Sequence, residues 1–340
     1  MPAFFGLDIG ATGIKAVQSS LRGSKSFFVE NLGLVNNPAG SIDFTDASVR
    51  EKIKPALKQL LTETKMRERR AVVAVSEGKV FSRVLSLPLM SEAELSTAIK
   101  WEAEQFVPIP VDEVELDYSV INKSASGSEK KMLVYLVAAP KKYLEGMVTL
   151  LTDAGIEPIA VESEMVAVSR ALTYGDHTGV SLIVSLGAMQ TVIAVIDGAD
   201  LTFSYVIPTG GVAMTRALSQ SLGLPLPQAE EYKRTYGLQD NQLEGKVKTG
   251  LMIVMDTLVK EIRKAMEYQV AEKKRVVNRI ILSGGGAYLP ELSGYLTSLY
   301  GSVEVVLGDP FAMATFTKGL TLPVTKAVYT VAVGCSLRIN

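Results

Sequence analysis

The sequence predicts an α/β fold made of two similar domains, and three observations support this. Glycine turns occur near residues 8–13, 185–190 and 283–286, and each follows a short run rich in apolar, β-branched residues. The first two turns each lead into a second such run, so the order strand, turn and strand occurs twice. With 340 residues, of which 47% are hydrophobic, the chain can bury more than one core.

The first turn carries the groups of a phosphate and magnesium site. Asp8 ends the first strand, and Gly10 and Gly13 let the chain reverse while a ligand oxygen approaches the backbone. Successive amides in such a turn bind anions. Thr12 adds a hydroxyl donor and Lys15 a positive charge, while Asp8 can hold Mg²⁺ through water. A buried hairpin with a glycine-rich turn is the alternative interpretation.

Helical spacing marks several segments between the turns. Residues 46–64 place apolar side chains on one face, which predicts a helix. Ser91 and Glu94 form a capping box, so a helix is expected from there towards Glu104. A strand is expected at 70–75, and helices are expected at 163–171 and within 211–274.

The composition argues against nucleic-acid binding and against several kinds of metal site. With 35 basic and 36 acidic residues the net charge is -1, so no broad basic surface is expected. The single Cys335 excludes an intramolecular disulfide, and the single His177 excludes a multi-histidine metal site. These counts favour a reducing compartment.

No membrane-spanning segment is expected. The chain opens with Met1 to Ala3 directly before the first strand, without a signal segment. The longest charge-poor run, at 177–196, approaches the length of a span, but Gly187 and Gln190 divide it into two short β-rich runs. We therefore predict a pair of strands in a soluble protein.

The order of these motifs resembles the actin-like ATPase superfamily, and in particular the PilM family of type IV pilus assembly, with FtsA as a relative. The opening GLDIGATGIKAV is one part of this resemblance, and the others together span nearly the whole chain. They lie at 101–110 with 117–118, and at 138–140, 208–211, 229–233 and 308–311.

The resemblance implies an actin-like ATPase fold, in which two duplicated ribonuclease H-like domains with subdomains 1A, 1C, 2A and 2B surround a central nucleotide cleft. Domain 1 would cover 1–155, with 1C inserted at about 86–150. Domain 2 would cover 156–320, with 2B at about 211–274, and residues 321–340 would return to domain 1.

The resemblance also implies ATP and Mg²⁺ as ligands of this cleft. Magnesium and the terminal phosphates would be held by Asp8, Gly10, Ala11, Thr12 and Lys15. Gly187, Ala188 and Met189 would close on the phosphates from the opposite domain. The nucleoside would lie beside Glu230, Lys233, Gly284, Gly285 and Gly286. A surface ion pair is the alternative interpretation for Glu230 and Lys233.

Two positions at which relatives carry acidic residues bear on ATP hydrolysis. Ser185 stands where relatives carry the aspartate of the second phosphate hairpin, so we expect ATP binding with slow or no hydrolysis. Glu162 falls near the place where some relatives carry a water-orienting acid, and it is our candidate catalytic residue. An acid that stabilises the start of a helix is the alternative for Glu162.

The resemblance implies a cytoplasmic scaffold at the inner membrane that contacts the membrane only through a partner. The N-terminal cytoplasmic segment of PilN would dock between 1A and 1C, near Trp101, Phe106 and Pro108. PilO and other pilus components would be indirect partners. A homo-oligomer or ring stays open.

Two other functions stay open at this point. A filament-forming ATPase like FtsA or MreB shares the fold, but the C-terminal residues 330–340 do not form an amphipathic membrane helix of the FtsA kind. A small-molecule kinase shares the first hairpin, but residues 200–215 offer no convincing carboxylate base.

Overall fold

The computed structural model describes residues 3–23, 25–124 and 131–339. The polar composition of residues 123–131 predicts the tip of a hairpin, and most of these residues lie outside the described ones. Along the described chain the strands are β1 (Phe5–Ile9), β2 (Gly13–Leu21), β3 (Phe27–Asn36), β4 (Arg70–Val75), β5 (Phe81–Pro88), β6 (Val114–Ser124), β7 (Lys131–Pro140), β8 (Glu157–Ser163), β9 (Val180–Leu186), β10 (Thr191–Asp197), β11 (Asp200–Ile207), β12 (Arg279–Ser283), β13 (Glu304–Leu307) and β14 (Ala314–Phe316). The helices are α1 (Ala47–Glu63), α2 (Glu92–Phe106), α3 (Lys141–Asp153), α4 (Glu164–Leu172), α5 (Gly211–Leu222), α6 (Leu226–Tyr236), α7 (Lys246–Lys273), α8 (Leu292–Tyr300) and α9 (Thr330–Ser336).

The first large sheet, apart from its edge strand β14, has the same topology as the second. The first runs β14-β3-β2-β1-β4-β8 and the second β11-β10-β9-β12-β13. In each, three consecutive strands pair antiparallel, and the first of them also begins a parallel run of two further strands, β4 and β8 or β12 and β13. The predicted internal duplication is confirmed.

The predicted helices form because one face of each can be buried. Helix α1 begins after Asp46, whose carboxylate accepts a hydrogen bond from the Ser48 amide, and it buries Ile53, Leu57 and Leu60 in the first core. Helix α2 has the predicted capping box. Helix α7 buries its apolar stripe in the second core, as the spacing predicts.

Residues 177–196 contain the centre of the second sheet. All seven residues of β9 are buried, because strands flank it on both sides and helices cover the sheet. This explains the length of the charge-poor run. None of the helices found along the described chain has the length and apolar character that a bilayer crossing requires.

A third, three-stranded sheet with the order β5-β7-β6 has a core of its own with α2. We call β5, β6, β7 and α2 the third-sheet unit. Helix α3, which follows β7, packs instead into the first core through Tyr143, Met147 and Leu150. The unit with a separate core thus runs from Phe81 to Pro140.

The C-terminal helix α9 returns to the first sheet. A Cβ on Gly334 would lie 1.9 Å from the Ala167 carbonyl oxygen of α4, and a Cβ on Gly6 of β1 would lie 2.0 Å from the Ala332 carbonyl oxygen. Helix, strand and helix can approach this closely only because both positions are glycine. Strand β1 and helices α4 and α9 are therefore tightly packed against one another.

Candidate functional site

The first hairpin joins β1 to β2 and places two charged side chains side by side. Asp8 and Lys15 are cross-strand partners, with 2.9 Å between Nζ and Oδ2. The Gly10 amide closes the turn by donating to the Gly13 carbonyl at 3.0 Å. The Asn37 side-chain amide donates to the Gly10 carbonyl at 2.9 Å and holds the turn from below. The ion pair is thus on a fixed backbone.

The second hairpin joins β9 to β10 and closes in the same way. The Gly187 amide donates to the Gln190 carbonyl at 2.9 Å. Its carbonyls at 187 and 188 accept hydrogen bonds from the first two amides of α5, at 3.0 and 2.8 Å. A Cβ on Gly210 would lie within 2.8 Å of three backbone atoms of this hairpin, so the start of α5 fits only because of that glycine. At the tip, Met189 is exposed.

Lys233 is buried beneath the start of α5. Its Nζ donates to the Gly211 carbonyl at 3.0 Å, to Thr215 Oγ1 at 2.9 Å and to Glu230 Oε2 at 2.6 Å. Burial opposes ionisation of Glu230, but hydrogen bonds from Lys233 and Thr215 outweigh it and lower the Glu230 pKa. The pair is therefore not a solvated surface pair, because Lys233 fastens α6 to the helix that supports the second hairpin.

The glycine run after β12 divides into two packing positions and one open position. Gly284 has φ +77, and a Cβ there would lie 2.5 Å from the Leu186 carbonyl oxygen. A Cβ on Gly286 would lie 2.7 Å from Leu186 Cβ. By contrast, a Cβ on Gly285 would meet nothing within 4 Å. Gly285 is thus where the run offers open space to a ligand.

Glu162 is engaged in an ion-pair network that fastens β8 to the C-terminal helix. Its side chain is buried, and its two oxygens accept hydrogen bonds from Arg170 at 2.7 and 2.9 Å and from Arg338 at 3.0 Å. Arg170 also donates to the Gly334 carbonyl at 2.6 Å. These contacts are those of a structural ion pair.

A different acid, Glu164, faces the first hairpin. It is the first residue of α4, after the helix cap Ser163. Burial, together with the carboxylates of Asp8 and Glu77, raises its pKa to about 7, and Lys15 partly offsets this. Glu164 was not among the site residues predicted from the sequence. The signal was available, since a serine cap directly before an acid starts a helix.

The three predicted groove residues differ in their exposure. Trp101 is 62% exposed on α2, and Pro108 is exposed beyond the end of that helix. Phe106 is half-buried against the core of the third-sheet unit. Residues 92–117 contain eight acidic side chains and one basic one, and among the described residues none of these acids forms an ion pair. The outer surface around Trp101 is therefore acidic.

Solved structures with a similar fold include a type IV pilus biogenesis complex. The structure titled "PilM-PilN type IV pilus biogenesis complex" has a TM-score of 0.85 and 26% identity, and the match covers 98% of this chain and 97% of that one. MreB5 of Spiroplasma citri bound to AMPPNP has a TM-score of 0.56 and 13% identity over 98% and 94% of the two chains. The predicted actin-like fold is confirmed.

Sequence comparisons give a consistent result. A family model described as "Type IV pilus assembly protein PilM" matches residues 6–340. FtsA of Neisseria meningitidis serogroup B is 22% identical over 70% of this chain and 62% of its own length. FtsA of Bacillus subtilis is 30% identical over 40% of this chain and 34% of its own. The chain thus spans less than two thirds of these FtsA relatives.

Proposed function

The chain belongs to the family of the type IV pilus assembly protein PilM, and from this premise we propose that it is an ATP-binding scaffold that docks a segment of PilN. The two glycine hairpins carry the nucleotide part of this proposal. They close with the same hydrogen bond at equivalent places of duplicated sheets. Paired turns of free amides suit the phosphates of one ligand, and the open space at Gly285 suits its nucleoside.

The residues present fit ATP with Mg²⁺. Magnesium, when bound, would neutralise phosphate charge. Asp8 would hold the hydrated ion, and Lys15 would turn from Asp8 towards the phosphates. Ala11 and Thr12 would offer amides and a hydroxyl to the terminal phosphates, at the turn that the Gly10 amide closes. From the second domain, the amides of Ala188 and Met189 would do the same at the turn that the Gly187 amide closes, while Glu230 and Lys233 would support the nucleoside side.

Glu164 would take the role of the water-orienting acid, in place of Glu162. A carboxyl with a pKa of about 7 can accept a proton from water near neutral pH. Ser185 in the second hairpin offers no second carboxylate, which favours slow turnover. We infer that ATP acts mainly by stabilising one conformation of the protein when it is bound. Energy from its hydrolysis is the smaller contribution.

Calorimetry of ATP with magnesium tests the nucleotide site. Wild-type protein is expected to bind ATP, and Asp8→Ala to lose at least about 100-fold in affinity, because Lys15 would then lack its partner and the hydrated ion its carboxylate. Asp153→Ala, an acid at the end of α3, is the control and should bind as wild type does. Equal ATP affinity in all three proteins would contradict the site.

We propose that the third-sheet unit is subdomain 1C, that the first and second sheets belong to 1A and 2A, and that α5 to α7 form 2B. The N-terminal cytoplasmic segment of PilN would dock near Trp101, Phe106 and Pro108, and PilO would be reached through PilN. The complex titled "PilM-PilN" supports this partner. Such a contact would place the protein at the cytoplasmic face of the inner membrane.

Binding of a PilN N-terminal peptide to Trp101→Ala tests that placement. A loss of about 10-fold or more in peptide affinity is expected, because exposed aromatic side chains dominate many interfaces. The matched control is Ile253→Ala on α7, since Ile253 is 72% exposed on the other domain. Unchanged affinity of Trp101→Ala would place the peptide elsewhere. Sedimentation with ATP separates this function from that of a filament-forming ATPase.

A further inference from the structure

Three structural units meet at the short turn after β4, which consists of Ser76, Glu77 and Gly78. Residues 77–79 form one turn of 3-10 helix between β4 of the first sheet and β5 of the third-sheet unit. Glu77 contacts the third-sheet unit and the start of α4, and its two neighbours contact the second hairpin. We call this segment the junction turn.

Glu77 connects the third-sheet unit to the start of α4. The carboxylate is only 2% exposed. From the third-sheet unit it accepts hydrogen bonds from Ser82 at 2.7 Å and from the Tyr135 hydroxyl at 3.4 Å. From α4 it accepts the Ser163 hydroxyl and, at 3.2 Å, the Met165 amide. A movement of either element would strand a buried charge, which is costly.

Tyr135 completes this network. Its hydroxyl lies 2.9 Å from Ser163 Oγ, so β7 also contacts the helix cap directly. Burial and the charge of Glu77 raise the Tyr135 pKa, and the side chain therefore stays a neutral hydrogen-bond donor. Glu164 directly follows Ser163 in the chain. The third-sheet unit therefore helps to fix the position of Glu164 through its contact with Ser163.

The residues on either side of Glu77 contact the second hairpin. Gln190 Nε2 donates to Ser76 Oγ at 3.0 Å across the cleft. A Cβ on Gly78 would lie 1.9 Å from Gln190 Oε1, so the amide side chain of Gln190 packs directly on the Gly78 backbone. These contacts need the two domains to be closed on each other.

We propose that the junction turn couples the nucleotide cleft to the third-sheet unit, so that ATP binding changes the affinity of a peptide ligand bound on that unit, and the reverse. This inference rests on the proposed function. A movement of the second hairpin would shift the junction turn through Gln190. The junction turn would in turn shift Tyr135 and the start of α4 through Glu77. Both are positioning residues, since neither needs to touch a ligand. Coupling of this kind is reciprocal, typically by a factor of about 5 to 150.

The test measures the dissociation constant of the PilN N-terminal peptide with and without magnesium ATP. Wild-type protein is expected to show a ratio of about 5 or more between the two constants. Tyr135→Phe and Gln190→Ala are each expected to bring this ratio to within about 2 of unity while both ligands still bind. A merely structural role would weaken stability and leave the ratio unchanged.

Tyr205→Phe is the matched control. Tyr205 is a partly buried tyrosine whose hydroxyl, like that of Tyr135, donates to a glutamate, in this case Glu261 at 3.1 Å. It lies on β11, and its hydroxyl bonds to α7. This variant should keep the wild-type ratio.

The outcomes are distinguishable. If wild-type protein does not bind ATP, the proposed nucleotide site is wrong and this inference is wrong with it. A wild-type protein that binds both ligands with a ratio near unity would overturn the inference alone. The same holds if the wild-type ratio persists in both Tyr135→Phe and Gln190→Ala.

Discussion

The two glycine hairpins have the same backbone and different chemistry. In the first, Asp8 stands two residues before the turn glycine and faces Lys15 across the strands. At the same two places in the second hairpin, Ser185 faces Val192. The closing hydrogen bonds, at 3.0 and 2.9 Å, are alike. Duplication thus kept the same closed turn on both sides of the cleft, while a pair of opposite charges across the strands occurs in the first hairpin and not in the second.

The surroundings of the hairpins differ as well. The first is held by the Asn37 side chain, whereas the second is held by the start of a helix that Lys233 fastens from below. We infer that the first hairpin supplies the chemistry and that the second acts as a support whose position depends on the helical insertion. Three substitutions test this comparison.

The largest effect is expected from Gly210→Ala, which attacks the support of the second hairpin. The added methyl group would lie 2.6 to 2.8 Å from three backbone atoms, which cannot move independently of the turn. We expect a loss of about 3 kcal/mol in the free energy of unfolding. In the first hairpin, a Cβ on Gly13 would meet its nearest atom at an ordinary 3.5 Å. Gly13→Ala is therefore the control, and similar losses in urea denaturation would contradict the comparison.

A smaller effect is expected from Glu164→Gln, which changes the charge facing the first hairpin. The folded pKa of about 7 exceeds the ordinary 4.5, so between these pH values the folded protein keeps a proton that the unfolded chain has released. The wild-type free energy of unfolding should therefore fall as the pH rises through this window. At pH 8 the glutamine variant should be more stable by about 2 kcal/mol, since solvent in the cleft screens part of the effect.

Urea unfolding of the ATP-free protein at pH 4.5 and pH 8 measures this difference. At pH 4.5 the wild type and Glu164→Gln should be nearly equal in stability. Glu162→Gln is expected to behave in the opposite way at pH 8, because it leaves Arg170 and Arg338 without their carboxylate. If Glu162→Gln were more stable than the wild type at pH 8, the structural role given to Glu162 and the role given to Glu164 would have to be exchanged.

The smallest effect is expected from Ser185→Asp, which makes the second hairpin resemble the first. A carboxylate at this buried position would help to hold the hydrated metal ion. We expect ATP turnover to rise about 10-fold, equivalent to about 1.4 kcal/mol in the activation free energy. Phosphate release at saturating ATP measures it, with Ser185→Asn as the uncharged control. Equal rates in both variants would mean that the missing charge does not limit turnover.

Much of the fold follows from local patterns. The capping box at Ser91 and the buried stripe of α7 were predicted because helix starts and apolar faces depend on neighbours three or four residues away. The two hairpins were predicted because glycine permits a tight turn whatever surrounds it. The junction turn was not predicted, since its contacts, apart from the one between Glu77 and Ser82, join residues more than 50 positions apart.

The sequence by itself determined the duplication, the two hairpins, the presence of Asp8 and Lys15 at the first of them, and the family. Only the tertiary structure decided that Glu164 faces the first hairpin while Glu162 pairs with arginines, that Gly285 alone of its run is open, and that Lys233 is a buried support. The physical reason is that periodicity and turn chemistry act within a few residues, whereas the partner of a buried charge is chosen by packing between distant segments.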